Sequence, residues 1–384
     1  MLASKLNIPD DWSFSTNGKV WINQNWGADV ILYAAHTHGH ETGLLAIIFL
    51  LLALTGLFLI LAMRRMEIPL PFCLLTSAIC IAAINVFAIL RPNLFTLTLL
   101  PLELWLLYQS LSHTWIVWFA VLVILCWANL HGGFLFGLGM LWLHATCTLL
   151  PALFKEKGKS LKQHWQLSIA AVAALLLAAM VNPFGLHNLT LPLLMTRRGV
   201  WNVMLEWQPI LKTELLGSFM VGIIGFLFVL GITLLLLFFR LAHTLVGRKP
   251  KIRPHAASPA GNFKYLQSGF NEAEDSLIFD IVLALVSIVM AVLSNRFLAI
   301  ALLTMAPTLA FQLRWLAGTF HFCWLTTTRS FSLILIFSIL LIYDNARSYD
   351  PRNPLSAAEP SRFTVQRTLS NTSSYPAAQD RLTN

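Results

Sequence analysis

The feature that most constrains this chain is a series of apolar runs, each close to the length that crosses a lipid bilayer. A span needs roughly 20 mostly apolar residues, and 57% of this chain is hydrophobic while only 11% is charged. Because lipid offers no partner for backbone N–H and C=O groups, the runs are expected to be helices. The sequence therefore predicts an all-α, polytopic membrane bundle of about ten transmembrane helices. The predicted spans are 43–63, 70–90, 94–111, 114–128, 133–153, 166–182, 217–241, 276–294, 297–313 and 322–343.

Lysine and arginine concentrate in alternate loops between these spans. If the spans alternate in direction, all of these basic loops lie on one side of the membrane, which the positive-inside rule identifies as the cytoplasm. The prediction is a bundle at 43–343, an N-terminal segment at 1–42 that is extracytoplasmic and includes an interfacial helix, and a disordered extracytoplasmic tail at 344–384. The basic residues are Arg64, Arg65, Lys155, Lys157, Lys159, Lys162, Arg240, Arg248, Lys249, Lys251, Arg253, Lys264, Arg314 and Arg329.

The loops on the other side carry few polar residues, set among Gly, Pro and Trp. The stretch WANLHGGFLFG, residues 127–137, interrupts an apolar run with an amide, an imidazole and two glycines. A loop facing water would contain mixed charges, so these loops are expected to turn at the membrane boundary around a pocket. Asn129, Asn182 and Trp207 are the predicted pocket-lining residues.

Five motifs in these loops resemble, in order and spacing, an uncharacterised bacterial family of multi-spanning proteins that is related to the GT-C glycosyltransferases. The motifs are RPNLFTLTLL, WANLHGGFLFG, VNPFGLHNL, LEWQP and LSNRFLAIAL, and the similarity covers roughly residues 10 to 312. It implies a GT-C-like fold and sugar transfer, at the extracytoplasmic surface, from a polyprenyl-phosphate or polyprenyl-diphosphate donor.

The N-terminus departs from this family pattern. Family members usually begin with an extra span and an outward acidic loop, and GT-C enzymes place a catalytic carboxylate there. DDWSFS resembles the family's Asp-Pro-Phe-Ser-Phe-Thr, with Asp10 at the first position and Asp11 where Pro is usual. We therefore expect this chain to be a truncated or inactive form that lacks the extra span and the acidic loop.

Transfer from a lipid phosphate needs cations on the leaving phosphate and a base near the acceptor hydroxyl. Arginine suits the first task because its planar guanidinium pairs two phosphate oxygens at once. Arg91, Arg296 and His131 are the predicted phosphate-binding residues; snorkelling arginines that cap helix ends are the alternative. The predicted catalytic carboxylates are Glu206, Asp10 and Asp11. A structural ion pair of Glu206 with Arg91 or Arg296 is equally compatible with the sequence.

Other candidates are less favoured. His36, His38 and His40 alternate and do not share a helix face, so no metal site is predicted; a divalent cofactor is not supported, and the cofactor is unknown. Glu103 lies inside an apolar span, where a carboxyl is a functional candidate. Asp280 is expected at the membrane interface, near the end of its span.

Three functions are compatible with the sequence. The first is a membrane glycosyltransferase, and the alternatives are a transporter or a non-catalytic membrane component of envelope polysaccharide assembly. Polar groups gathered at one membrane face favour the first over a transporter, whose polar groups usually lie near the midplane. The predicted partners are the lipid bilayer and a lipid-linked sugar, with no nucleic acid and no protein partner identified. The predicted location is a bacterial inner membrane, with multiple spans and both termini extracytoplasmic.

Overall fold

The computed structural model describes residues 23–84, 87–154, 161–196, 205–210, 220–245 and 279–320. These residues form helices and short turns without a strand, which confirms the all-α prediction for this part of the chain. Asp10, Asp11, the span predicted at 322–343 and the tail predicted at 344–384 lie outside the described residues. The helices are α1 (Trp26–Arg65), α2 (Leu70–Ile84), α3 (Asn93–Ser110), α4 (Val117–Leu130), α5 (Phe134–Phe154), α6 (Leu161–Val181), α7 (Leu186–Thr196), α8 (Met220–Leu245), α9 (Phe279–Leu293) and α10 (Leu298–Phe320).

Three stretches of the described chain are long and apolar enough to cross a membrane. They are Trp26–Arg65, Gly222–Ala242 and Asn295–Ala317. Shorter apolar stretches of 10–17 residues lie at Leu70–Ile84, Thr114–Leu130, Phe134–Leu149, Gln166–Val181 and Phe279–Leu293. Large apolar side chains are exposed on the outer faces, for example Met180 of α6 and Phe238 of α8. A bilayer would cover such faces. The chain thus has the features of a membrane protein.

Helix α1 is broken at His40, whose backbone angles are φ 50° and ψ −139°. A Cβ atom added to Gly43 would lie 2.3 Å from the carbonyl oxygen of Ala35, eight residues earlier. In a straight helix eight residues span about 12 Å, so the chain turns back on itself here. The break separates the predicted interfacial helix from the predicted first span.

Two helices, α3 and α10, form the centre of the bundle. Helix α10 is buried from Leu298 to Ala310, and it packs against α1, α2, α3 and α8. Helix α3 lies between α1 on one side and α4 and α5 on the other. Thr98 of α3 donates to the carbonyl oxygen of Leu51 in α1 at 2.9 Å, and its hydroxyl lies 3.1 Å from that of Thr55. Hydrogen bonds of this kind are common between membrane helices.

The connections between helices gather at two ends of the bundle. At the first, here called the His131 end, the segments 87–92, 131–133, 182–185, 205–210 and 294–297 meet. At the second, called the Arg65 end, Arg65 donates to the Ser112 hydroxyl and Arg314 donates to the carbonyl oxygens of Met66 and Glu67. The polar motifs of the sequence therefore all lie at the His131 end.

Candidate functional site

The segment 205–210 and the turn before α10 are joined by main-chain hydrogen bonds at the His131 end. Asn295 N–H donates to the Gln208 carbonyl at 3.1 Å, and Ile210 N–H donates to the Val292 carbonyl at 3.2 Å. The Ser294 hydroxyl donates to the Glu206 carbonyl at 3.3 Å. This pairing holds the LEWQP and LSNRF motifs side by side.

Arg91 and Glu206 form an ion pair at the edge of this site. Arg91 Nη1 contacts Glu206 Oε1, and their side chains are 50% and 36% exposed. The structural ion pair that the sequence allowed for Glu206 is therefore present. Such half-exposed pairs contribute little to stability, about 0–1 kcal/mol. Each side chain of the pair thus already has a partner of opposite charge.

Arg296 is held differently, by an aromatic ring. Its guanidinium carbon lies 4.5 Å from the centroid of Trp207, whose ring packs edge-on against Phe297 at 6.2 Å. A cation over an indole face is stabilised by about 0.5–2 kcal/mol. Arg296 forms no ion pair within the described residues, so its charge is not neutralised by direct contact with a carboxylate. Its Nη2 atom lies 3.4 Å from Nε2 of His131.

His131 is buried, and its hydrogen bonds define which ring nitrogen carries the proton. Nδ1 accepts from the Gly133 N–H at 3.0 Å and lies 2.7 Å from the Thr96 hydroxyl oxygen. That oxygen already accepts from the Trp127 indole N–H at 2.9 Å. Since the indole can only donate, the Thr96 hydroxyl has its own hydrogen left to donate to Nδ1. The proton of the neutral imidazole is therefore assigned to Nε2.

This assignment places two hydrogen-bond donors opposite each other. Burial, and next the nearby Arg296 guanidinium, lower the pKa of His131 from 6.5 to about 3, so the ring is neutral near pH 7. Its Nε2–H then faces the N–H groups of Arg296, and neither group accepts. An anionic oxygen between them would accept from both, and it would be favoured by the positive charge of Arg296.

Gly132 and Gly133 allow this arrangement because they occupy almost no space. A Cβ atom at Gly133 would lie 2.3 Å from the Thr96 hydroxyl oxygen and 3.0 Å from His131 Nδ1. One at Gly132 would lie 2.8 Å from the Gln24 side-chain oxygen. Real Cβ atoms do not approach so closely. The packing around the histidine thus explains Gly133, whereas the nearest atoms at Gly132 belong to the end of the flexible Gln24 side chain.

The predicted pocket-lining amides fasten the ends of helices. Asn182 Nδ2 donates to the Ala128 carbonyl at 2.9 Å, and its Oδ1 accepts from the Phe184 N–H. Asn129 Nδ2 donates to the Leu125 carbonyl, and its Oδ1 accepts from the Trp26 indole at 3.1 Å. The bond from Asn182 satisfies the Ala128 carbonyl, one of the last four of α4, which lack partners within the helix. Asn129 and Asn182 therefore support the loop that presents His131.

The structure connects the predicted residues as a chain of contacts. Arg91 contacts Glu206, Trp207 contacts Arg296, and Arg296 lies beside His131. Thr96 and Trp127 were missing from the sequence prediction although both lie within quoted motifs. A hydroxyl and an indole in an apolar helix are ordinary core residues, and their role appears only once the His131 loop is placed against them.

The described residues contain no group of three His, Cys, Asp or Glu side chains placed to hold a metal ion. His36 and His40 lie with ring centroids 6.0 Å apart on an exposed part of α1.

No family model, curated protein or solved structure matches this chain.

Proposed function

We propose that this chain is a multi-spanning membrane glycosyltransferase that uses a polyprenyl-phosphate-linked sugar at the His131 end. The observation that carries the proposal is a pair of donors, the Arg296 guanidinium and the Nε2–H of His131, whose nitrogens lie 3.4 Å apart and can share one anionic acceptor. A phosphate oxygen of the donor lipid supplies that acceptor. The long apolar helices support a substrate that is itself embedded in the bilayer.

In the proposed reaction the sugar moves from the lipid phosphate to an acceptor hydroxyl. The bond between the sugar C1 and the phosphate oxygen breaks while the acceptor oxygen bonds to C1. Arg296 and His131 stabilise the charge that develops on the departing phosphate. The acceptor proton goes to a carboxylate, for which Glu206 is the best-placed candidate of the described residues. Its pairing with Arg91 must loosen before it can accept that proton.

Ligand binding to purified full-length protein tests the phosphate site. The ligand is a short-chain polyprenyl phosphate, and the polyprenol of equal length is the control ligand. Losing a hydrogen bond to a charged group costs about 1.5–3 kcal/mol, so Arg296→Gln is expected to weaken binding roughly tenfold to a hundredfold. Native mass spectrometry gives the dissociation constants.

Arg91→Gln is the matched control, since it removes the same charge at the same end of the bundle. It should weaken binding much less, because Arg91 is already engaged by Glu206. Equal losses for the two variants would contradict the site, as would equal binding of the phosphate and the polyprenol.

A second candidate is a binding protein in envelope polysaccharide assembly that performs no transfer. The Arg91–Glu206 contact favours it, because the best carboxylate candidate is occupied. Incubating the protein with a polyprenyl-phosphate sugar and a mixture of acceptor glycans separates the two. Transfer is supported if the natural protein consumes the donor and Glu206→Gln does not. Binding without consumption of the donor supports the second candidate.

A further inference from the structure

Glu103 is a carboxyl group buried inside the bundle without a hydrogen-bond partner. It lies on α3, its side chain is completely buried, and neither carboxyl oxygen has a partner among the described residues. An ionised carboxylate in such surroundings costs many kcal/mol, so a carboxyl there holds a proton. Carboxyls retained inside membrane helices often take part in proton or ion movement.

Glu103 belongs to a polar stripe along α3. Thr96, Glu103 and Ser110 are spaced seven residues apart, close to two helical turns, and so share one face at intervals of about 10 Å. The ends of the stripe each contact a histidine. Thr96 contacts His131 before α5 begins, and the Ser110 hydroxyl lies 3.2 Å from Nε2 of His144 within α5. Since α3 packs along α5, Glu103 lies on this stripe between two buried imidazoles.

A second buried cluster surrounds His144, toward the Arg65 end. The His144 ring packs edge-on against Phe279 at 5.1 Å. Next to Phe279, Asp280 accepts a hydrogen bond from the Tyr108 hydroxyl, and its other oxygen has no partner in the described part. Asp280, expected from the sequence at the membrane interface, is only 2% exposed because α9 packs it into the bundle against α3. Three titratable groups are therefore buried at this level of the stripe: Tyr108, His144 and Asp280.

We propose that this stripe is a proton path through the membrane, with Glu103 as its central proton-binding group. The Glu103 carboxyl first releases its proton toward Thr96 and His131. The resulting carboxylate then takes a proton from His144 and Asp280, or the same steps run in the reverse direction. His131 takes the proton on Nδ1 and releases its Nε2 proton to water at the His131 end, as a neutral imidazole can. The steps of about 10 Å require side-chain rotation or intervening water. The path shares His131 with the proposed phosphate site, but Glu103 and Asp280 take no part in phosphate binding, so the two proposals can be tested separately.

Most other titratable groups on the helices that pack against α3 lie near helix ends or on exposed surface, and the half-buried Cys147 lies near Asp280, so none replaces Glu103 on the stripe. These groups are Asp29, Tyr33, His36, His38, His40, Glu41, Arg64 and Arg65 of α1, Cys126 of α4, Cys147 of α5 and Arg314 of α10.

Proton flux into liposomes tests the path. Full-length protein is reconstituted with an internal pH dye, and a potassium diffusion potential set with valinomycin drives protons inward while potassium leaves. The natural protein should acidify the interior faster than protein-free liposomes do. Glu103→Gln, which keeps the shape but cannot release a proton, should reduce the rate to that of protein-free liposomes. Asp280→Asn should also slow it.

Glu41→Gln is the control, because Glu41 is an exposed carboxyl of α1. It should conduct as the natural protein does. Labelling with dicyclohexylcarbodiimide, which adds to protonated carboxyls in apolar surroundings, should modify Glu103 and should stop the flux. A flux of the natural protein equal to that of protein-free liposomes, or an undiminished flux in Glu103→Gln, would overturn the path. Matched circular dichroism spectra and gel-filtration profiles establish that the variants are folded.

Discussion

At the scale of single residues, the His131 loop shows how an apolar chain holds a specific polar site. Thr96 accepts from an indole and donates to an imidazole, which leaves the opposite ring nitrogen as a donor. Three buried polar groups thereby satisfy one another, as burial requires. Arg296 keeps its charge beside them, as arginine does in proteins. Trp207 covers the face of its guanidinium, and the negative charge of Glu206 opposes the cost of burying it.

The neutral state of His131 predicts a pH dependence of stability. The pKa of His131 is about 3 in the folded protein, against 6.5 for an ordinary histidine. Between these values protons bind the unfolded chain more than the folded one, so this contribution is complete above pH 6.5 and is lost as pH falls toward 3. The thermal midpoint should therefore fall between about pH 7 and about pH 4, and it should fall less in His131→Gln. Scanning fluorimetry measures both.

Gln is chosen because its amide nitrogen can take the place of Nε2 and donate without titrating. Parallel pH curves for the two proteins would show that His131 is not neutralised by its surroundings.

At the scale of helices, close contact between α2 and α8 depends on a small residue. A Cβ atom on Gly225 of α8 would lie 2.7 Å from the Cβ atom of Ala83 in α2. Small residues at such contacts let membrane helices approach closely, and packing then supplies the attraction. Gly231, two turns further along α8, has no atom within 4 Å of an added Cβ.

Gly225→Leu should separate these two helices and destabilise the protein by about 1–3 kcal/mol, the usual cost of overpacking. Gly231→Leu is the matched control and should leave stability nearly unchanged or raise it, since leucine favours a helix more than glycine does. The fraction of protein that remains monodisperse after heating, measured by gel filtration, compares them. Equal losses would show that the α2–α8 contact is not tight.

Helix positions could be predicted from the sequence because apolar runs and helices share a length scale. The runs at 94–111 and 133–153 correspond to α3 (Asn93–Ser110) and α5 (Phe134–Phe154). The site was harder to predict, since its hydrogen bonds join residues far apart in sequence. Arg296 and His131 were found because charged or imidazole groups are conspicuous in apolar surroundings. The sequence allowed Glu206 to pair with Arg91 or with Arg296. The partner is Arg91 because the segment 205–210 packs against 292–295.

At the scale of the whole molecule, charge is distributed unevenly between the two ends of the bundle. Among the described residues, Arg64, Arg65 and Arg314 lie at the Arg65 end, where they contact main-chain carbonyls or a hydroxyl. The arginines described at the His131 end are Arg91 and Arg296, and both belong to the candidate site. By the positive-inside rule, the end of a bundle with the larger number of Lys and Arg residues faces the cytoplasm. The Arg65 end is therefore expected to face the cytoplasm.

Cysteine accessibility in intact cells tests this orientation. His113 and His187 are both exposed, the first in the turn after α3 at the Arg65 end and the second near the start of α7 at the His131 end. In a background without reactive native cysteines, a membrane-impermeant maleimide should label His187→Cys from outside and should leave His113→Cys unlabelled until the cells are permeabilised. If both positions react equally before permeabilisation, the two ends do not lie on opposite sides. The reverse pattern would place the candidate site in the cytoplasm, where the sugar donor would be a substrate of the inner leaflet.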